Sequence, residues 1–421
     1  MMLSLGLQGS GAVLAYGSQL VLARALGAGP FGTVSAVVSV STVLGLALTL
    51  GGGGLALRRL PVWYQGEDRA LCWQFLVSFW RLIALLSLML ILFSWCLGWF
   101  GLGSWLWMGC AGLSGLTAFW TFGGDVGRAV GKFASTYGLS LVLRPALTIL
   151  LVIIFAGFWR FDGAMGGIVA LFTAGLAAVV LQMIVLVRRV RPPDGLAECG
   201  PALRAQWFRE APHFLMANGF VLVLLQADML VASAFLSPVE LGYYAAAAKS
   251  VSVLSVVSVA VGTVVVPRLS LYADELKQLA REARSATRWQ LLLVSVPAAG
   301  LLVGAAQILS LFGPGFEVAV PVLQILVVGQ VCNMAFGPGG TLLVYTGHPG
   351  AATLGYGVAA VVAAGLCALG ILWAGLAGAA LGSALGVAAV GMIMWLLARR
   401  KTGVGGSIYG ALRNRDRSEK K

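Results

Sequence analysis

The sequence predicts an all-α integral membrane protein with twelve transmembrane helices in two six-helix bundles. Three observations predict this fold class. The 421 residues are 59% hydrophobic and only 10% charged, whereas a soluble domain is about one quarter charged. Apolar runs near the length of about 20 residues that crosses the hydrocarbon core recur along the whole chain. Basic residues collect in every second connection between those runs, as they do in multi-pass membrane proteins.

Helix-breaking residues in the fifth and tenth of the twelve apolar runs predict irregular helices. In the fifth run, Pro145 lacks a backbone N–H and is expected to kink the helix. In the tenth, Gly337, Pro338 and Gly339 interrupt the apolar pattern. Interrupted membrane helices are tolerated where they line a cavity, so we predict a hinge there. The predicted spans are residues 3–23, 33–57, 73–98, 103–124, 134–158, 163–187, 210–236, 241–266, 289–312, 319–345, 351–373 and 378–398.

Glycine shapes the predicted helix packing. The chain contains 57 glycines, and small residues let membrane helices approach closely. Gly378, Gly382 and Gly386 recur at every fourth position of the last span, which predicts a packing face. The run from Gly51 to Gly54 lacks the Gly-Lys-Ser/Thr ending of a phosphate-binding loop. It therefore predicts a flexible or closely packed segment of the second span.

The distribution of basic residues predicts the orientation of the chain. The odd-numbered connections hold only Arg24 and Arg160, whereas the even-numbered connections and the C-terminal tail hold many Arg and Lys residues. Because cytoplasmic connections are rich in Lys and Arg, both termini are predicted to lie in the cytoplasm. The predicted location is the cell inner membrane, crossed many times.

The two halves of the chain are predicted to be related. Three matches occur at a constant offset of 210 residues, and a Pro- and Gly-containing linker lies at the midpoint. Both halves enter the membrane from the cytoplasm, so their pseudo-two-fold axis is expected to run along the membrane normal. The matched pairs are Leu26 with Leu236, Gly32 with Gly242, and Arg58 with Arg268. The predicted segments are a bundle at 1–190, a linker at 191–209, a bundle at 210–400 and a basic tail at 401–421.

Several functional classes are disfavoured by the composition. The net charge of +13 could indicate a nucleic-acid partner, but the basic residues lie between apolar runs, and anionic lipid headgroups explain the basic tail as well. The six cysteines lie far apart, without a CxxC motif or metal-ligand spacing. We therefore expect no metal, cofactor or catalytic residue, and no nucleic-acid partner.

Ionisable residues inside the spans are the candidate functional residues, because each is costly to bury in a bilayer. Asp228 and Lys249 flank the outer turn near Pro238, ten residues before it and eleven after it. A rise of about 1.5 Å per residue puts both at a similar depth, roughly 12–15 Å below the outer end. They are candidates for a substrate or coupling-ion site. A structural ion pair that neutralises two buried charges is the alternative.

Three arginines complete the candidate substrate-binding set. Arg144 precedes Pro145, and an arginine beside a kink could hold a phosphate bidentately. Snorkelling of its head toward the cytoplasmic headgroups is the alternative explanation. Arg81 is similarly close to a cytoplasmic end. Arg24 ends the first span on the outer side, where few other cations occur.

Three segments resemble a known family. The segment from Asp228 to Lys249, with LSPVELGYYAAAAK at its end, resembles the seventh-to-eighth helix hairpin of polysaccharide exporters. The segment from Phe312 to Phe316 (FGPGF) resembles their ninth-to-tenth connection. The segment from Leu26 to Gly32, followed by Arg58 to Pro61, resembles their first hairpin. The chain is similar to the oligosaccharide flippases of the multidrug/oligosaccharidyl-lipid/polysaccharide exporter superfamily, which includes the O-antigen flippases.

The resemblance implies a function without enzymatic chemistry. Such flippases move undecaprenyl-diphosphate-linked oligosaccharides from the cytoplasmic to the outer leaflet by alternating access, in some cases coupled to H⁺ or Na⁺. Lys249, and less directly Arg24, match positions where cavity cations attract the pyrophosphate. The implied partners are the lipid-linked oligosaccharide, membrane lipids, a polysaccharide polymerase and a chain-length regulator. A cation-coupled multidrug antiporter, a membrane glycosyltransferase and a non-transporting assembly partner remain alternatives.

Overall fold

The computed structural model describes residues 2–66, 68–101, 105–131, 139–158, 163–190, 200–271 and 275–404. The predicted linker up to residue 199, Arg160 and the basic tail beyond residue 404 lie outside the described residues. The chain folds as two compact units, Met1–Gly219 and Phe220–Lys421. Each unit is considered separately below.

The first unit is built from α1–α7 and the first part of α8. Gly27 alone separates α1 from α2, so these two helices form a tight hairpin. α8 continues past the end of this unit. The helices are α1 (Met2–Leu26), α2 (Ala28–Leu48), α3 (Gly52–Gln65), α4 (Arg69–Trp99), α5 (Trp105–Ala129), α6 (Leu139–Phe158), α7 (Ala164–Val190) and α8 (Pro201–Phe235).

The second unit contains the rest of α8 and all later helices. Leu236 and Ser237 separate α8 from α9, which gives a hairpin like that of α1 and α2. The helices are α9 (Pro238–Leu271), α10 (Leu276–Val303), α11 (Ala305–Ser310), a 3-10 turn (Phe316–Ala319), α12 (Val320–Ala335), α13 (Gly339–Tyr345) and α14 (Pro349–Thr402).

In each unit, the helix that contains the fourth predicted span packs against three other helices. In the first unit α5 packs against α2, α4 and α7. In the second unit α12 packs against α9, α10 and α14. α5 and α12 each contain the fourth predicted span of their half, and their partners contain the second, third and sixth. Equivalent packing within the two units is what an internal repeat predicts.

The second predicted span is broken into two helices, which the apolar pattern did not predict. Leu50 has φ +47° and Gly51 has φ +80°, so both lie in the left-handed region where the helix cannot continue. The first residues of α3 are closely packed against neighbouring side chains. A methyl group on Gly52 would collide with the Phe79 ring, and one on Gly54 would lie 2.7 Å from Phe214 Cβ. The glycine run is therefore closely packed, one of the two alternatives that the sequence allowed.

An aromatic cluster packs the start of α8 into the first unit. Trp207 is fully buried and lies 5.2 Å from the Phe75 ring centroid and 5.7 Å from that of Trp63. One turn further along α8, both carboxylate oxygens of Glu210 accept hydrogen bonds of 2.9 Å from Arg59. Residues 201–209, part of the predicted linker, are helical, and Trp207 among them is packed into the first unit.

Two further irregularities lie in the second unit. The predicted interruption is present, because α12 ends at Ala335, Gly337 has φ +81° and α13 starts at Gly339. α14 contains the last two predicted spans. Its backbone leaves helical geometry at Ala374 and Gly375, where φ is −143° and +55°. The chain turns there without a loop.

Helix length and apolarity agree with a membrane location. Among the described residues, seven helical segments are long and apolar enough to cross a bilayer, and Leu141–Phe155 is a shorter apolar helix. All-α structure is the only alternative to a closed β-barrel that satisfies every backbone polar group in lipid.

Gly382 offers a test of the packing of α14 against itself. A methyl group there would collide with the Leu366 carbonyl oxygen and lie 2.8 Å from Cys367 Cα. We expect Gly382→Ala to destabilise the protein by about 1–3 kcal/mol through overpacking. Gly365→Ala is the matched control, because nothing lies within 4 Å of its added methyl group. Thermal unfolding in detergent measures both, and equal melting temperatures would contradict the close packing.

Candidate functional site

Asp228 is the centre of a polar cluster inside the second unit. It lies on α8 seven residues before the helix ends. Its Oδ2 accepts a hydrogen bond of 2.8 Å from the Tyr244 hydroxyl on α9, and its Oδ1 accepts one of 2.8 Å from the Met229 backbone N–H. A carboxylate has about four acceptor sites, so these two bonds leave capacity for a cation, a proton or a ligand donor.

The cluster continues into α14. The Tyr244 and Ser383 hydroxyl oxygens are 2.8 Å apart, and Ser383 Oγ lies within hydrogen-bond distance of Cys367 Sγ, at 3.4 Å. Tyr244, Ser383 and Cys367 are buried. Because Tyr244 has a single hydroxyl hydrogen and gives it to Asp228, its oxygen is left to accept from Ser383. The carboxylate is thereby tied to both halves of α14 through neutral groups.

A cavity of about 270 Å³ adjoins Asp228. We call it the carboxylate cavity. Its walls come from α8, α9, α12 and α14, and its polar lining consists of Asp228, Ser252, Ser255, Gln330, Asn333 and Ser383. The remaining lining residues are small or aliphatic. A single carboxylate among neutral oxygen and amide groups can hold a proton or a small hard cation.

Lys249 is near Asp228 but is offset from the hydrogen-bonded cluster. The two residues are close enough for a Coulombic interaction. Lys249 follows Tyr244 by five residues, which puts it about 140° around α9 and about 7.5 Å further along it. Tyr244 therefore donates the hydrogen bond on the Asp228 face. The sequence-based comparison used depth alone, which does not distinguish Lys249 from Tyr244 as a partner of Asp228.

Arg144 is held by an aromatic ring in the first unit. Its guanidinium carbon lies 5.3 Å from the Trp120 ring centroid, a cation–π geometry. Within the described part of the chain, no carboxylate pairs with Arg144. The Thr148 hydroxyl donates to the Arg144 carbonyl at 2.9 Å, next to Pro145. Arg144 is thus a cation whose counterion the described residues do not supply.

The space around Arg144 is small. Its niche is formed by α5, α6 and α7 and has a volume of about 10 Å³, room for roughly one water molecule. The walls are otherwise Leu, Val, Gly and Thr side chains with Trp120. A phosphate could reach the guanidinium only after α6 moves relative to α5 or α7. Phosphate binding by Arg144 therefore stays a prediction.

The other predicted site residues line neither the carboxylate cavity nor the niche of Arg144. Arg24, in the last turn of α1, and Arg81, on α4, are exposed and line neither cavity. Pro145 is buried within α6. Gly337, Pro338 and Gly339 connect α12 to α13, and a methyl group on Gly339 would lie 2.7 Å from the Met394 carbonyl oxygen. The break is therefore clamped against α14, and its hinge role stays a prediction.

Two important residues were missed by the sequence analysis. Tyr244 lies seven residues after Ser237 and Asp228 lies nine before it, so comparing depths could have paired them. Trp120 gave no comparable signal, because α5 and α6 are separate in sequence. Asp125 and Arg128, one turn apart on α5, form an ion pair at its end. Among the described residues, no group of three His, Cys, Asp or Glu residues could hold a metal ion.

Solved structures with the same architecture are known. An inward-facing multidrug resistance MATE family transporter of the MOP superfamily matches with a TM-score of 0.73 at 14% identity, over 92% of this chain and 94% of that one. The lipid II flippase MurJ, in an inward closed conformation, matches with a TM-score of 0.75 at 13% identity, over 94% and 87%. The chain has the fold of the MOP superfamily.

A third structure adds a comparison of pocket charge. It is a MOP superfamily transporter from Pyrococcus furiosus, described as having a reverse polarity of the binding pocket that suggests a different function. It matches with a TM-score of 0.53 at 14% identity, over 95% of this chain and 94% of that one. No family model and no curated protein matches the sequence. These likenesses confirm the predicted all-α, twelve-helix membrane fold class.

Tyr244→Phe tests the cluster around Asp228. The change removes the donor of the 2.8 Å hydrogen bond to a carboxylate in an apolar bundle, so we expect a loss of about 1–3 kcal/mol in the free energy of unfolding. Tyr243→Phe is the matched control, because the Tyr243 ring packs edge-on against Phe316 without needing its hydroxyl. Equal effects of the two substitutions on the unfolding midpoint would show that the hydroxyl of Tyr244 is unimportant.

Proposed function

We propose that this protein is a transporter that flips undecaprenyl-diphosphate-linked oligosaccharides from the cytoplasmic to the outer leaflet of the cell inner membrane. The observation that carries the proposal is Arg144, a guanidinium within a membrane helix that no described carboxylate neutralises. A buried charge without a partner is costly. A substrate with a diphosphate supplies the missing counterion.

The surrounding charges support an anionic substrate. Lys249 is partly buried on α9 near Asp228, so those two charges balance each other. Asp125 and Arg128 likewise pair on α5. Arg144 remains as a surplus positive charge. Arginine suits a diphosphate, because its planar group donates two parallel hydrogen bonds to phosphate oxygens.

Alternating access fits the fold. MurJ, which has the same architecture, is described as a lipid II flippase, and lipid-linked substrates of this kind are the proposed cargo here. In such a cycle the near-closed niche of Arg144 opens in one state and closes in another. The orientation proposed is the one predicted by the basic connections, with both termini in the cytoplasm. A polymerase and a chain-length regulator are the proposed partners downstream.

Asp228 is the proposed coupling group. Asp228 has two unused acceptor sites and lines a cavity with neutral oxygen and amide groups, a setting that can take up H⁺ or Na⁺. Binding either ion would change the charge on α8 and the strength of the Tyr244 hydrogen bond. Both effects act on helices α8, α9 and α14, which meet at this cluster.

The second candidate is a cation-coupled multidrug antiporter, and Asp228 is the observation that favours it. A carboxylate in a cavity of about 270 Å³ attracts cationic drugs. The sign of the interior charge distinguishes the two candidates. Among the described interior residues the surplus charge is positive, which favours the flippase.

Enzymatic and purely structural roles are less well supported. Enzymes that cleave or form glycosidic bonds commonly use a pair of acids or metal-binding carboxylates at one substrate. The carboxylate cavity contains one, Asp228, and the niche of Arg144 contains none. A non-transporting assembly partner would have no use for a cation inside the first unit. We therefore propose a transporter without catalytic residues or cofactors.

Arg144→Gln tests the proposed substrate contact. We expect transfer of lipid-linked oligosaccharide to the outer leaflet to fall at least about tenfold, because a lost charge-assisted hydrogen bond costs about 1.5–3 kcal/mol. The readouts are surface glycan and lipid-linked precursor retained on the cytoplasmic side. Arg399→Gln is the control: Arg399 lies over Trp395 at 5.5 Å but at the exposed end of α14. Normal transfer by an Arg144→Gln protein at normal abundance would overturn the proposal.

Asp228→Asn separates the two candidate functions. Asparagine keeps the size of the side chain and cannot take up a proton or balance a cation. For a flippase, we expect glycan transfer to become insensitive to collapse of the H⁺ or Na⁺ gradient. For an antiporter, the same substitution would instead abolish resistance to cationic drugs and leave glycan export unchanged. Ionophore titration of glycan export and drug-susceptibility measurements distinguish these outcomes.

A further inference from the structure

A second cavity in the second unit lies beside the carboxylate cavity and has a different chemistry. Its volume is about 360 Å³, within the range of ligand-binding pockets. We call it the neutral cavity, because none of its lining residues is Asp, Glu, Lys, Arg or His. Leu224, Leu225, Asn333 and Val390 line both cavities, so the two adjoin.

The polar groups of the neutral cavity are amides and hydroxyls. Gln290 on α10 donates from Nε2 to the Ser258 hydroxyl on α9 at 2.9 Å. In the part of the chain that the structure describes, the Asn333 side-chain amide and the Tyr356 hydroxyl have no hydrogen-bond partner. Both are partly buried and line the cavity. Unpaired polar groups of this kind are costly unless water or a ligand satisfies them.

Glycines make room for these two unpaired groups. A methyl group on Gly391 would lie 2.7 Å from the Asn333 side-chain oxygen, and one on Gly340 would collide with the Tyr356 hydroxyl. Gly340 belongs to the start of α13, just after the break in the tenth span. The interruption of that span therefore gives the cavity its shape. Gly340 and Gly391 thus pack against the two polar groups that line the cavity.

The lining selects the charge class of the ligand. A charged ligand would be buried without a counterion, which is unfavourable. An apolar ligand would leave the Asn333 amide and the Tyr356 hydroxyl unsatisfied. Amides and hydroxyls each donate and accept, so they complement a ligand whose groups also do both. The hydroxyl and acetamido groups of a neutral sugar have this property, and Tyr356 adds an aromatic ring.

We propose that the neutral cavity binds an uncharged sugar residue, with Asn333 and Tyr356 as its hydrogen-bonding residues. This inference rests on the proposed function, because the sugar would belong to the glycan of the transported lipid. It adds a second recognition element to that function: an uncharged one in the second unit, separate from the cation in the first. The sugar is then recognised by hydrogen bonds that a diphosphate cannot replace.

A cysteine-protection experiment tests the cavity directly. Thr341, which lines it, is changed to cysteine in a chain whose native cysteines are replaced by serine or alanine. Alkylation by a maleimide is measured on the purified protein with N-acetylglucosamine, with its cationic analogue glucosamine, and with the anionic glucuronate. We expect N-acetylglucosamine alone to slow alkylation, about threefold when two thirds of the sites are filled.

Two variants make the outcome specific. Asn333→Leu and Tyr356→Phe should each weaken protection by N-acetylglucosamine, whereas Gln226→Leu, a control on α8 outside the cavity lining, should not. Elution as a single species on size exclusion shows that each variant is folded. Protection by all three compounds, by none, or unchanged protection in both cavity variants would overturn the proposal. The experiment needs no transport, so it can fail while Arg144→Gln still abolishes glycan transfer, and the reverse.

Discussion

Helices in a bilayer gain no hydrophobic free energy by leaving lipid for one another, so close backbone packing must hold this protein together. Glycine provides it at several crossings. Gly382 lies against the Leu366 carbonyl within α14, and Gly329 on α12 packs against Ala384. Gly51 packs against the Ala211 carbonyl in the first unit. At each point a side chain of any size would separate the helices. The polar clusters exist because these contacts fix the helices around them.

The helix breaks follow the same constraint. Lipid cannot satisfy freed backbone groups, so a break must be buried in protein or line a cavity. The break at Leu50 is packed against α4 and α8 by the glycines that follow it. The break at Gly337 lines the neutral cavity. Both breaks therefore meet the requirement that freed backbone groups be buried in protein or line a cavity. Neither is a loose joint, which restricts any movement to a change between defined packed arrangements.

Much of the fold could be predicted from sequence because the bilayer imposes a simple length and polarity rule. Each of the twelve predicted spans contains helix in its described residues, and the second and tenth spans also contain a break. The features that could not be predicted are irregularities of the backbone at single residues. The broken second span was missed, since Leu50 is as apolar as its neighbours and nothing in the pattern reveals a positive φ. The last two predicted spans are joined within α14, because the turn at Gly375 is a single backbone irregularity and not a loop.

The candidate site was less predictable, because it depends on helical phase and on contacts between distant segments. Depth along a helix could be counted, and it put Asp228 and Lys249 at a similar level. Rotation about the helix was not considered, so Tyr244 was missed. Trp120 meets Arg144 where α5 and α6 both pack against α7, and no local motif encodes that packing. The neutral cavity gave no signal at all, since its walls are ordinary helix residues.

Two glycines give the polar residues of the neutral cavity their room. An added methyl group on Gly340 would collide with the Tyr356 hydroxyl, and one on Gly391 would lie 2.7 Å from the Asn333 side-chain oxygen. Cavity volume in this fold is therefore sensitive to one-carbon changes far from any charged residue. Chains with this architecture could diverge in the size of the cargo they accept by exchanging glycine for alanine at these two positions. Their cations and carboxylates would need no alteration, and selectivity could drift without loss of the basic transport cycle.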